Sequence, residues 1–192
     1  SHADSLTVLI NRATTNQYLL ISNMKIKSGA MNSSITNTKG METAFKNEME
    51  KASERAEKMR IQASLYERVE NQFVAESKRT ADDTQLEALT NAQKALSDRL
   101  SALTNHYMAQ QERALAESKL KEIQSANYAQ MALKSTVEEE KNLLEKNSMR
   151  YKAAAMSSKM EALQMNEQFE FHNKLFALNY QEYIELLRYK NK

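Results

Sequence analysis

The fold is decided by residues 41–79, METAFKNEMEKASERAEKMRIQASLYERVENQFVAESKR, where apolar side chains recur at alternating steps of four and three residues. The recurring positions are Phe45, Met49, Ala52, Ala56, Met59, Ala63, Tyr66, Glu70 and Phe73, of which Glu70 alone is charged. A spacing that averages 3.5 residues keeps them on one side of an α-helix, as in the seam between packed helices. We therefore predict a helix over 41–79 that packs along this series.

The composition of the whole chain favours long helices and argues against folds that need many turns. The 192 residues include no proline, no cysteine, no tryptophan and only two glycines, Gly29 and Gly40. Because tight turns rely on glycine and proline, barrels, sandwiches and α/β folds with many loops are excluded. The 24 alanines and 11 methionines supply apolar surface that is compatible with helices.

Charge is nearly balanced, with 27 basic and 25 acidic side chains. Only residues 1–40 are biased, at net +3 from Arg12, Lys25, Lys27 and Lys39 against Asp4. Nucleic-acid-binding proteins carry a basic stripe that neutralises phosphates, and the balanced segments predict no nucleic-acid partner. No stretch approaches the roughly 20 apolar residues of a membrane-spanning helix, so no span is expected.

Two further long helices are predicted, over 81–133 and 136–190. The pair Thr80 and Asp83 has the spacing of a helix N-cap, and Ser135 with Glu138 and Thr136 with Glu139 repeat that spacing. The predicted boundaries between these helices, near residues 80 and 135, contain neither glycine nor proline. A continuous helix through either boundary is the alternative. A shorter helix over 4–27 and a polar loop over 28–40 precede the helix over 41–79.

The predicted fold is all-α: an elongated antiparallel bundle of three long helices plus the shorter N-terminal helix, in one domain over 1–192. The predicted packed stripe of the helix over 81–133 begins with Leu86, Leu89, Leu96, Leu100, Leu103 and Tyr107, and then shifts to Leu115, Leu120, Ile123 and Met131. The last helix has the series Leu144, Tyr151, Met160, Leu163, Phe169, Phe176, Tyr183 and Leu187.

The sequence offers no catalytic arrangement. His106 and His172 are far apart, and the chain lacks the Glu-x-x-His pairs that di-iron helical bundles use. Three glutamates at 138–140 are interpreted as first-turn residues that complement the helix dipole, instead of metal ligands. We expect no enzyme activity, no metal and no cofactor.

Two clusters in the last helix are candidates for interaction. Six aromatic residues fall within 169–189, and we select Phe171, Tyr180 and Tyr189 as interaction candidates. Phe171 and Tyr189 lie off the seven-residue line of the other aromatics and are expected to be exposed, the alternative being closure of the core over the N-terminal helix. Methionines cluster at Met149, Met156, Met160 and Met165, where flexible thioethers suit either gap filling or adaptable binding.

Within residues 86–133, the segments LEALTNAQKALSDRLSAL and LKEIQSANYAQM resemble the long-helix region of the pilus-tip minor subunits of type IV secretion systems. That resemblance implies a secreted helical bundle with a role in adhesion and pilus assembly. The segment NSMRYKAAA, residues 147–155, is similar to the closing helix of flagellar proximal rod subunits and implies a secreted axial assembly instead.

Together these observations predict a non-enzymatic structural or interaction subunit of a bacterial secretion or conjugation apparatus, periplasmic or extracellular. Its expected partners are proteins, either further copies of the chain or other subunits of the apparatus. A cytosolic coiled-coil adaptor is the alternative. The start, Ser1 to Ala3, fits either the remnant of a tag or the small-x-Ala end of a cleaved signal peptide.

Helices of this length have contours of about 60–80 Å at 1.5 Å per residue. We therefore expect small-angle X-ray scattering of the full chain to show an elongated particle. The distance distribution of a compact sphere would contradict the predicted bundle.

Overall fold

The computed structural model describes residues 38–191, which form three long helices: α1 (Thr38–Arg79), α2 (Asp82–Lys134) and α3 (Glu138–Lys190). Helix accounts for 96% of these residues and no strand occurs among them, which confirms the predicted all-helical fold. The predicted helix over 4–27 lies outside the described residues. The last three residues assigned to the loop 28–40 are helical instead, because α1 begins at Thr38.

The predicted seam of α1 is confirmed. Phe45, Ala52, Ala56 and Ala63 are buried, and the other members of the series are half-buried. Glu70, the one charged member, accepts hydrogen bonds from Arg99 Nη2 on α2 at 3.2 and 3.4 Å. The charged position therefore lies in the packed face because it has an ion-pair partner across the seam.

The described residues group into two compact units. Unit 1 comprises Arg55–Met108 and the described part of Glu167–Lys192; unit 2 comprises Ala109–Asn166 and the described part of Leu19–Glu54. Within each unit, α2 contacts both α1 and α3 and runs antiparallel to them.

In unit 1, hydrogen bonds join residues of α2 to both neighbours. The protonated Nδ1 of His106 donates to the carbonyl oxygen of Ala56 on α1 at 2.7 Å. The amide of Gln93 donates to the carbonyl oxygen of Asn179 on α3 at 2.9 Å. These contacts pair distant segments of the chain, as the antiparallel packing requires.

In unit 2, the α1–α2 contact is apolar and the α2–α3 contact is partly polar. Phe45, Ala116 and Leu120 form a buried cluster, against which Met41, Met49 and Ile123 pack. The hydroxyl of Ser118 donates to the carbonyl oxygen of Ala155 at 2.9 Å. Ser125 and Ser148 each donate to the carbonyl oxygen of the other, at 2.7 and 2.8 Å.

Two lines of small side chains run along α2 at seven-residue intervals. One line is Ala88, Ala95, Ala102, Ala109 and Ala116, all buried. The other is Thr90, Ser97, Thr104, Ser118, Ser125 and Ala132, also buried, with half-buried Gln111 between Thr104 and Ser118. In unit 2, Ala116 of the alanine line packs against α1, and Ser118 of the second line donates a hydrogen bond to α3. Small residues on two sides let both neighbours approach closely.

Four large apolar residues that were predicted to pack are exposed instead: Leu89, Met131, Met160 and Leu163. On α3 the packed side belongs to Ala155, Ser158 and Ala162, because a closely approaching α2 leaves no room for longer side chains. The alanine line of α2 keeps its seven-residue interval on both sides of Tyr107, where the leucine series shifts. The packed face of α2 therefore does not shift at that point.

The two breaks are real, but the predicted caps are not the ones that form. Thr80 donates its hydroxyl to the carbonyl oxygen of Glu76 at 2.9 Å, and so completes the end of α1 instead of capping α2. Asp82 has φ 56°, the left-handed conformation that aspartate tolerates better than most residues. At the second break the Ser135 hydroxyl donates to the carbonyl oxygen of Val137, and α3 begins two residues later than predicted.

Glu138, Glu139 and Glu140 occupy the first turn of α3, as their interpretation as dipole-complementing residues requires. No group of three or more His, Cys, Asp or Glu residues that could hold a metal occurs among residues 38–191.

Replacing Glu70 by alanine should destabilise the protein, because Arg99 at the α1–α2 contact would lose both hydrogen bonds that its Nη2 donates, and its buried Nε has no partner within residues 38–191 that could compensate. We expect the free energy of unfolding to fall by about 1–3 kcal/mol, measured by urea denaturation and circular dichroism.

The control is Glu57→Ala. Arg60 donates hydrogen bonds to the Glu57 carboxylate and lowers the pKa of that carboxyl, but both side chains are exposed. Exposed ion pairs contribute little to stability, so the urea midpoint should not change. Equal losses in the two variants would show that the contact between Glu70 and Arg99 contributes nothing specific.

Candidate interaction surface

The two aromatic residues that were expected to be exposed do project from α3 in unit 1. The exposed fraction is 57% for Phe171 and 68% for Tyr189, whereas Phe169, two residues away from Phe171, is only 4% exposed. Phe169 belongs to the packed side of the helix and Phe171 to the outward side. The interface role of Phe171 and Tyr189 stays a prediction.

Tyr180, the third candidate, is half-buried in a row of rings. Its ring centroid lies 5.7 Å from that of Phe176 and 5.9 Å from that of Tyr183. Such distances are typical of packed aromatic pairs. Tyr180 therefore packs between neighbouring rings of α3 and is only partly exposed.

A second row of rings connects Phe171 to the α1–α2 contact. Phe171 meets His172 edge to face at 5.4 Å, His172 lies 4.7 Å from Tyr107, and Tyr107 lies 5.1 Å from His106. No local pattern indicates this bridging role of His106, whose partner is the carbonyl group of Ala56, 50 residues away. The two histidines thus hold helices together, and the row anchors the outward Phe171 to a packed framework.

In unit 2 the outward side of α3 carries large apolar residues. Met149, Ala153, Met156, Met160 and Leu163 are spaced by four, three, four and three residues, so they share one side of the helix. All five are exposed, with fractions between 61% and 72% for the four larger side chains. We call this set the methionine face. It lies opposite the packed side, which includes Ala155 and Ala162.

Basic side chains surround the methionine face. Between residues 149 and 163, which the face spans, α3 carries Arg150, Lys152 and Lys159 against Glu161 alone, net +2. Lys159 Nζ lies 3.3 Å from the Glu122 carboxylate, whereas Arg150 and Lys152 form no ion pair with any described residue. The face is therefore apolar with a positive rim.

In unit 1 the outward side of α3 has the opposite charge. Phe171, Leu178 and Tyr189 are exposed and lie on one side of the helix, and we call them the aromatic face. From residue 167 to 190 the helix carries four glutamates against Lys174, Arg188 and Lys190, which is net −1 with histidine neutral. Exposed Glu182 lies four residues from Leu178 and exposed Glu185 four residues from Tyr189, while exposed Arg188 and Lys190 flank Tyr189.

A smaller apolar patch lies on α1 in unit 1. Ile61, Leu65 and Val69 are spaced by four residues and exposed, on the side of α1 that faces away from its seam. The patch covers little more than two turns, so α3 presents the larger apolar surface.

None of the three helices between Thr38 and Lys190 has a segment apolar enough to cross a membrane. Comparison with known proteins does not add a relative: no family model, no curated protein and no solved structure matches the chain. The exposed faces of α3 are therefore the candidate interaction surface.

Replacing Phe171 and Tyr189 together by alanine should weaken assembly with partners while leaving helix content and the melting temperature nearly unchanged, because both rings are exposed. The matched variant is Phe169→Ala, which removes a buried ring and should cost about 3–5 kcal/mol of stability. Thermal melts by circular dichroism distinguish them. Unfolding of the double variant would show that both rings belong to the core.

Proposed function

We propose that the chain is a non-enzymatic structural subunit that binds protein partners through the outward faces of α3. The observation that supports this best is the methionine face, where four large apolar side chains are exposed on consecutive turns of one helix. Scattered apolar residues on a surface are ordinary, but a contiguous apolar patch is typical of an interaction site.

The physical argument is the free energy that a partner would recover. Fully burying a Met or Leu side chain is worth about 1.5–3 kcal/mol, and the methionine face offers four such residues in unit 2. The smaller alanines hold α3 to α2, so the large residues are free to contact another molecule without disturbing that packing. Methionine, with its flexible thioether, also adapts to the shape of a partner.

We place this subunit in a bacterial secretion or conjugation apparatus, in the periplasm or outside the cell, with a pilus-associated role in assembly or adhesion. The support is the resemblance of the α2 segments to the long-helix region of pilus-tip minor subunits. The second candidate is a cytosolic coiled-coil adaptor, which the seven-residue spacing of the packed faces favours equally.

The full reading frame distinguishes these two settings. A secreted subunit requires an export signal at the start of its precursor, and fractionation of the cells that make the protein should then recover it outside the cytosol. A precursor without such a signal, found entirely in the cytosol, would favour the adaptor.

The binding role itself can be tested by thiol labelling, because the chain has no cysteine of its own. A single Met156→Cys variant should react with a maleimide rapidly as dilute purified protein and at least about tenfold more slowly in the cells that make it, if a partner covers the face. Ser53→Cys, at an exposed position of α1 in unit 2, is the control and should react at similar rates in both settings. Equal rates for Met156→Cys in both settings would contradict the proposal.

A further inference from the structure

We infer that the partner of the methionine face is the aromatic face of a second copy of the same chain. This inference rests on the proposed function and specifies it further: the subunit would assemble with itself through two different surfaces of α3.

Charge is the first argument. The segment that the methionine face spans, residues 149–163, is net +2, and the segment that contains the aromatic face, residues 167–190, is net −1. Opposite potentials steer the correct surfaces together and disfavour incorrect pairings. A contact between two methionine faces would instead place three bases against three bases.

The charges nearest to each face are available for such pairing. Arg150 and Lys152 are exposed and have no acidic partner among the described residues. Glu182 and Glu185 are likewise exposed, and no described base pairs with either of them. Two bases and two acids can therefore form ion pairs between copies without first breaking an ion pair between described residues.

The apolar chemistry also matches. The methionine face presents three thioethers, and the aromatic face presents Phe171 and Tyr189. Sulfur–aromatic contacts are favourable beyond the burial of area, by about 0.3–1.5 kcal/mol each. Aromatic side chains are also enriched among the residues that contribute most to protein interfaces.

The chain's own N-terminal segment fits the methionine face less well. Residues 1–40 are net +3, the same sign as the rim formed by Arg150 and Lys152. The acidic aromatic face of another copy removes this repulsion and replaces it with attraction.

Because the two faces differ, each copy offers one of each, and the contact is heterologous. Contacts of this type form closed rings when the rotation between successive copies closes, and open chains when it does not. Self-association should therefore not stop at a symmetric pair that uses the same face twice.

The test exchanges the charges. One variant carries Arg150→Glu with Lys152→Glu, and the other carries Glu182→Lys with Glu185→Lys. Sedimentation velocity of the full chain at low salt should show association of the wild type that increases with concentration. Each variant alone should associate at least about tenfold more weakly, because like charges then meet across the contact.

The decisive sample is the mixture of the two variants, in which each retains one unaltered face and the altered faces are again opposite in charge. Association should return in the mixture, and also in a single chain that carries all four substitutions. Glu54→Lys with Glu67→Lys, two exposed positions on α1, is the control that changes net charge as the Glu182→Lys, Glu185→Lys variant does, and it should associate like the wild type. Circular dichroism checks that every variant keeps its helix content.

The outcomes separate the inference from the proposed function. A wild type that stays monomeric up to about 1 mM, while Met156→Cys is protected in cells, would mean that a different protein covers the face, and the inference fails alone. Association that the charge reversals do not weaken also overturns the inference, since another surface would then mediate it. A monomeric wild type that binds vesicles of anionic lipid overturns it in favour of a membrane. Failure of both protection in cells and self-association would reject the proposed function as well.

Discussion

The close approach that small side chains allow along α2 is the constraint on which the rest of the described structure depends. A helix with alanine on one side and serine or threonine on another can accept two neighbours in each unit, because its own side chains take little room at either contact. The hydroxyls do not disturb this packing. Thr90, Ser97 and Thr104 donate to carbonyl oxygens one turn earlier in α2, and Ser118 and Ser125 donate to α3.

This constraint explains the unusual distribution of apolar residues on α3. Ala155 and Ala162 take the packed side because only they fit against α2, and the larger Met156, Met160 and Leu163 are left outward. A helix that packs its small residues and exposes its large apolar ones gains less hydrophobic stabilisation while no partner is bound. That loss is recovered when another surface covers the large residues, which connects the packing of α2 to the proposed assembly.

The sequence predicted some of these features and misled on others, for physical reasons. The seam of α1 was predictable because Phe45, Met49 and their successors follow one spacing, and the exposure of Phe171 and Tyr189 followed from their offset from the seven-residue line of the other aromatics. The packed sides of α2 and α3 were not predictable in this way. Ranking residues by hydrophobicity places Met160 and Leu163 in the core and overlooks the alanine and serine residues that are buried there. The pairings of Arg99 with Glu70 and of His106 with Ala56 span 29 and 50 residues, and no local pattern specifies such partners.

The reciprocal bonds between Ser125 and Ser148 have a consequence for how the chain selects one alignment. Packed faces that repeat every seven residues look nearly the same after α3 slides along α2 by one repeat, and no glycine or proline marks where the chain must bend. Sliding by seven residues would set Ser125 against Ala155, which has no hydroxyl to return the bond. A few hydroxyl and amide groups, including Gln93 with Asn179, thus distinguish the native alignment from its near-duplicates, much as a single polar residue fixes the alignment of a coiled coil.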